Sequence, residues 1–213
     1  MKQLFACLFA VLMGFATQVG AFSVVVDRSD DALELYFKFP APIMEEAFGV
    51  LPGGVVSDTG FVDFKSLQTD TVTPGNDLIA NVVAETDGVP ILLEAMSFMT
   101  HPTETDLPFE TPWDALLTTT FCSVDPNGPG QPLDVMTTYV GYFADRLPPV
   151  APIVIDFPWM DLDEREVQVI EFQDKNLVQS YSALINTDGR LTLFETSDRS
   201  RHGFFSFRWL HSN

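Results

Sequence analysis

The chain has 213 residues and carries 30 acidic side chains against 11 Lys and Arg, for a net charge of −19. A surface this acidic excludes nucleic acid and anionic membrane surfaces as partners, since both need positive patches, and suits cations or basic proteins instead. With only Cys7 and Cys122, the part beyond the N-terminal segment can form no internal disulfide and must rely on packing, for which it is long enough.

The first element in chain order is a leader. Lys2 precedes an uncharged run from Gln3 to Val26, apolar through Leu4–Phe15 and small and polar from Ala16 to Ala21. This is the pattern of a secretory signal peptide over residues 1–21, cleaved before Phe22. The competing reading is an uncleaved membrane anchor, because about 20 apolar residues span a bilayer. The short apolar core and the placement of Ala21 favour cleavage. The expected location is therefore periplasmic or secreted, with membrane association only if the segment is retained. Too few residues precede Cys7 for a lipidated cysteine.

Strand patterns follow. "ALELYFKF" alternates, with Leu33, Leu35, Phe37 and Phe39 on one face and Glu34, Tyr36 and Lys38 on the other. "APIMEEAFGV" allows one or two helical turns after Pro42. "FVDFKSL", "DLIANVVAET", "VPILLEAMSFMTH", "ALLTTTFCSV", "MTTYVGYFA", "APIVIDF", "EVQVIEF", "LVQSYSALI", "RLTLFE" and "GFFSFRWLH" all read as strands. Asp87–Gly88 and Asp188–Gly189 carry the signal of tight hairpins. The expectation is an all-β fold with little helix apart from the signal segment: an antiparallel β-sandwich, jelly-roll or Ig-like. Residues 22–213 are expected to form one domain, with a second reading that divides them at the Pro-rich segment 147–152.

Candidate chemistry is thin. In "AMSFMTHP", strand alternation puts Met99 and His101 on one face and Met96 on the other. Thioether and imidazole suit copper, but a third ligand would have to come from His202 or His211, and methionine is a common gap-filler in apolar strands. "DFPWMDLDERE" gathers Asp161 and Asp163 among other carboxylates, and "DPNGPGQPLD" offers Asp125, Asn127 and Asp134. Calcium wants six to eight oxygens, yet neither stretch has the spacing of a calcium loop. No cofactor is expected, with copper at Met99 and His101 or calcium at Asp161 and Asp163 as the alternatives. Cys122 reads as a small buried hydrophobe, with no His or basic neighbour in sequence to lower its pKa.

No catalytic motif is present: no Gly-x-Ser-x-Gly, His-Glu-x-x-His, phosphate-binding glycine loop or Cys-x-x-Cys. A glycosidase would use two facing carboxylates with stacking aromatics, for which Trp113–Asp114 and Trp159–Asp161 are the available pairs. Arg199, Arg201 and Arg208, with His202 and Arg190, concentrate the scarce positive charge near the C-terminus. They can pair with their own acidic neighbours or receive an acidic partner. The expected function is a non-catalytic exported domain that binds a protein partner in the cell envelope or serves as an accessory subunit there. The alternatives are a periplasmic metal-binding protein and a carbohydrate-active hydrolase.

Overall fold

The computed structural model describes residues 22–30, 32–43, 60–65, 82–105, 107–121, 125, 127–145, 151–157, 165–185 and 188–194. Twelve strands and one α-helix described over its whole length lie among them, with helical residues also at 42–43 and 64–65. They are β1 (Phe22–Arg28), β2 (Ala32–Pro40), β3 (Phe61–Val62), β4 (Val83–Thr86), β5 (Val89–Ile91), β6 (Glu94–Pro102), α1 (Pro112–Thr120), β7 (Gln131–Pro132), β8 (Met136–Asp145), β9 (Ile153–Asp156), β10 (Arg165–Gln173), β11 (Asn176–Ile185) and β12 (Arg190–Leu193). The all-β expectation holds.

The strands form a six-stranded sheet in the order β11-β10-β1-β2-β8-β6, a four-stranded sheet β12-β9-β4-β5, and the small pair β3-β7. The large sheet is mixed rather than wholly antiparallel: β1 runs parallel to β10, Phe22 opposite Val167 through Arg28 opposite Gln173. Strands from both sides of segment 147–152 pair with each other, β9 with β4 and β10 with β1.

Alternation along β2 works as its sequence dictates. Leu33, Leu35, Phe37 and Phe39 join a buried cluster with Val24, Val26, Val167 and Val169 of the same sheet. Ala84, Ile153, Ile155, Leu191 and Leu193 of the four-stranded sheet enter the same cluster, so one core draws on both sheets. Phe157 fastens the layers, its ring edge-on to Phe22 at 5.8 Å and to Phe37 at 5.6 Å. Each such side chain contributes about 1.5–3 kcal/mol on burial.

The opposite face of β2 is not left to solvent. Tyr36 is fully buried there in a second cluster with Val25, Tyr139, Phe172, Phe109 and Ala115. The last two come from α1 and the segment before it. This helix overturns the reading of "ALLTTTFCSV" as a strand. Thr111 caps its start: its Oγ1 accepts from the Asp114 N–H at 3.1 Å and donates to Asp114 Oδ2 at 2.7 Å, with Pro112 at the first helical position. The threonines favour a strand by propensity. Here their hydroxyls bond to carbonyls one turn back, Thr119 and Thr120 to Leu116 O at 2.9 and 2.7 Å. Thr118 donates to Pro108 O at 2.9 Å. Cap and packing override propensity.

Three further expectations change. "VPILLEAMSFMTH" is two strands, β5 in one sheet and β6 in the other, with the chain crossing at Leu92–Leu93. "FVDFKSL" supplies only two strand residues. Asp87–Gly88 is a hairpin, with φ of 50° and 74°, but Asp188–Gly189 joins strands of different sheets. There Gly189, at φ 69°, gives its carbonyl to the Phe157 N–H at 2.7 Å. In β6 the register slips between Ala95 and Ser97. The signal segment, most of "APIMEEAFGV" and "GFFSFRWLH" lie outside the described residues. No helix among the described residues is long and apolar enough to cross a membrane.

Candidate functional site

The hairpin between β10 and β11 turns at Asp174 and Lys175, both left-handed with φ of 52° and 64°. Such a turn fits the twist of the paired strands but usually takes Asn or Gly. The strain is held from outside. Asp27, buried on β1, accepts the Lys175 N–H on Oδ1 at 3.1 Å, and its Oδ2 lies 2.8 Å from the same residue's Nζ. The ammonium reaches on to Glu34 of β2, at 2.9 and 2.8 Å from the two oxygens. Tyr36 Oη donates to Glu34 Oε2 at 3.1 Å. Burial works against the Lys175 charge, but hydrogen bonds and charge from Asp27 and Glu34 outweigh it and raise its pKa. Burial first, and then the Glu34 charge and hydrogen bond, push the Tyr36 phenol far up, so it stays a donor.

This network forms one wall of a groove. A cavity of about 390 Å³ is lined by Glu34, Lys175, Phe172, Thr111, Pro112, Trp113 and Leu116. Its surface is mostly apolar, with Glu34, Lys175 and Thr111 as its polar lining residues. Trp113 is 66% exposed, and Leu117 and Phe121 are 44% and 64% exposed. At a spacing of four, Trp113 and Leu117 lie one above the other on the outward face of α1, and Phe121 follows as the extended residue that ends the helix. The inward face of the helix, Pro112, Ala115, Thr118 and Thr119, is buried. A short helix that is apolar on its outer side presents surface that water disfavours.

Of the two neighbouring carboxylates here, Glu34 lines the groove and Asp27 is buried behind it, and the Lys175 ammonium sits between them and bonds to both. A reacting glycosidic bond would need that space. Asp114 does not stand free beside Trp113 either, since its carboxylate closes the helix cap.

Of the residues expected to bind metal, Met99 packs in the core. His101 is wholly buried, its Nε2 3.1 Å from Thr118 O of α1 and its ring edge-on to Tyr139 at 5.5 Å. Burial lowers its pKa, with the Thr118 carbonyl partly offsetting this. Asp161, Asp163, His202, His211, Cys122, Trp159, Arg199, Arg201 and Arg208 lie outside the described residues. Asp125 caps its own turn, accepting the Asn127 N–H at 2.9 Å. No group of three His, Cys, Asp or Glu side chains among the described residues could hold a metal ion. Arg190 pairs within the chain, with Asp156 through two bonds of 2.8 and 3.1 Å and with Glu85 at 3.6 Å.

A second polar cluster lies in the interior. Glu171, fully buried on β10, accepts from Gln179 Nε2, from Tyr181 Oη at 2.9 Å and from the Phe194 N–H at 2.8 Å. Phe194 takes a left-handed φ of 54°, and its ring lies 5.8 Å from the Arg28 guanidinium, which donates to Ala151 O. These contacts satisfy backbone and side-chain donors where the chain leaves β12, a structural task.

The groove is hidden in the sequence because two of its walls carry misleading signals: the helix ends in a strand-like run of threonines, and the Asp174–Lys175 turn carries no glycine. The Thr111-Pro112-x-Asp114 cap was the available signal. No protein-family model and no curated protein matches the chain.

Proposed function

We propose that this chain is an exported, non-catalytic β-domain, a sandwich of two sheets around one shared core, that binds a protein partner in the cell envelope. The proposed receptor surface is the groove beside α1 together with the outward stripe of Trp113 and Leu117 and the exposed Phe121 at the helix end. That stripe is the observation that carries the reading. Export rests on the signal pattern of residues 1–21, and the single domain on strands interleaved from both sides of segment 147–152.

Charge selects the occupant. The groove is apolar with the Glu34–Lys175 pair at its rim, and exposed Glu104 and Glu110 precede the helix, on a chain of net charge −19. A basic amphipathic segment of a partner protein complements this, with its apolar side against Trp113 and Leu117 and its Lys or Arg side chains toward the carboxylates. Metal binding and sugar hydrolysis have less to rest on: His101 is engaged by Thr118, and an ammonium fills the space between Asp27 and Glu34.

A labelled amphipathic helical peptide of leucine and lysine is the probe. It is expected to bind more tightly than its leucine–glutamate counterpart. The double variant Trp113→Ala, Leu117→Ala should weaken it roughly tenfold or more with the melting temperature unchanged. No binding at about 100 μM, or equal binding by wild type and variant, overturns the proposal.

A further inference from the structure

Three of the four outer strands of the two main sheets are guarded. β5 is three residues long and contains Pro90; β12 is four residues long and opens on Arg190; β6 carries a bulge, begins at Glu94 and ends at Pro102. Short length, proline, charge and bulges are the devices that keep sheet edges from pairing with foreign strands. β11 has almost none of them. Among the described strands it pairs only with β10, runs for ten residues as "NLVQSYSALI", and contains no charge, proline or glycine. Its one irregularity is the extra residue Val178 near the turn. Leu177, Val178 and Leu184 are 61%, 54% and 56% exposed. On a chain of net charge −19, this is an uncharged seam.

The sequence of the strand also reads nearly the same in both directions about Tyr181: Val178-Gln179-Ser180-Tyr181-Ser182-Ala183-Leu184. We infer that β11 is a self-association edge, pairing antiparallel with β11 of a second copy across a two-fold axis at Tyr181. In that register Val178 meets Leu184 of the other copy, Ser180 meets Ser182, and Tyr181 meets itself. Opposite residues share a face, so the exposed apolar side chains at both ends cover one another and the serines meet at the centre. The two large sheets become one continuous twelve-stranded sheet. The occupant is a second copy because a partner with a different sequence would have no need of this symmetry, and because two acidic molecules approach most easily where neither carries charge. The proposal is independent of the groove at α1, whose free face it leaves uncovered.

Sedimentation of the full chain from about 1 to about 200 μM should show a monomer–dimer equilibrium. A chain that stays monomeric throughout overturns the inference. Ser180→Lys with Ser182→Lys sets like charges directly opposite each other across the axis. This variant should be monomeric at every concentration with its unfolding midpoint unchanged, whereas an undiminished dimer overturns the inference. Should the lysines disturb folding, cysteines give the register directly. Mixed Ser180→Cys and Ser182→Cys chains should cross-link to each other under oxidation, faster than either alone and faster than wild type with its own Cys7 and Cys122. Cross-linking no faster than wild type overturns it.

Discussion

Asp27 and Lys175, 148 residues apart, are joined at both ends of the lysine: one carboxylate oxygen takes the backbone N–H and the other takes the ammonium. The first contact holds a left-handed turn, and the second ties that turn to the sheet. Asp27→Ala removes both and leaves a part-buried N–H without its acceptor, which should cost about 1–3 kcal/mol in urea unfolding. Lys175→Gly loses the ion pairs but relieves about 1–2 kcal/mol of left-handed strain, so it should stay near wild type, while Lys175→Ala should be the less stable of the two. An Asp27→Ala protein as stable as wild type would contradict the double attachment.

The helix α1 stands on its cap. Thr111→Ala should lower stability by about 1 kcal/mol, and Thr111→Asp should restore most of it, because Asp is an equally good N-cap. Equal stability of the three proteins would mean that the cap does not hold the helix.

His101 gives a pH dependence. Its folded pKa lies below the ordinary 6.5 because burial disfavours the charged form. The unfolded chain therefore binds the proton more tightly than the folded one. The stability from a neutral His101 is complete above that ordinary value and is lost as pH falls through the folded pKa. Between about pH 7.5 and about pH 5.5, wild type should lose melting temperature relative to His101→Asn, which lacks the titration. Parallel curves would remove His101 as the cause.

Gly141 of β8 sits between two side chains. A Cβ there would lie 2.9 Å from Ser97 Oγ and 3.3 Å from the Tyr36 ring. Gly141→Ala should therefore cost about 1–3 kcal/mol by overpacking. The Ser97 hydroxyl is buried with no hydrogen-bond partner among the described residues, so Ser97→Ala should be neutral or stabilising. Combined with Gly141→Ala, it should recover part of the loss, the Tyr36 contact remaining. A double variant no better than Gly141→Ala would place the strain elsewhere.

What the sequence made legible was alternation. β2 and β8 to β11 could be read because every second residue faces a core that excludes water, and that pattern is local. The sheet to which a strand belongs is not local, which is why the crossing at Leu92–Leu93 and the turn at Asp188–Gly189 look in sequence like a continuous strand and a hairpin. The groove was illegible for a related reason. Its helix ends in three threonines that prefer strands, and its lysine turn depends on an aspartate far away in the chain. The candidate metal residues Met99 and His101 proved to be neighbours along β6 that serve packing and a bond to α1.

The parallel seam between β1 and β10 also sets an order of assembly. β1 can fold onto β2 at once, since only a short turn separates them, and β10 onto β11 likewise. Joining the two hairpins requires Phe22 to meet Val167, and that contact must wait until nearly all of the chain is available. Until then β1 offers an open side to whatever strand comes near, and such distant pairings are slow to form. Closure of this seam is the expected late step, so weakening it should speed unfolding far more than it slows refolding.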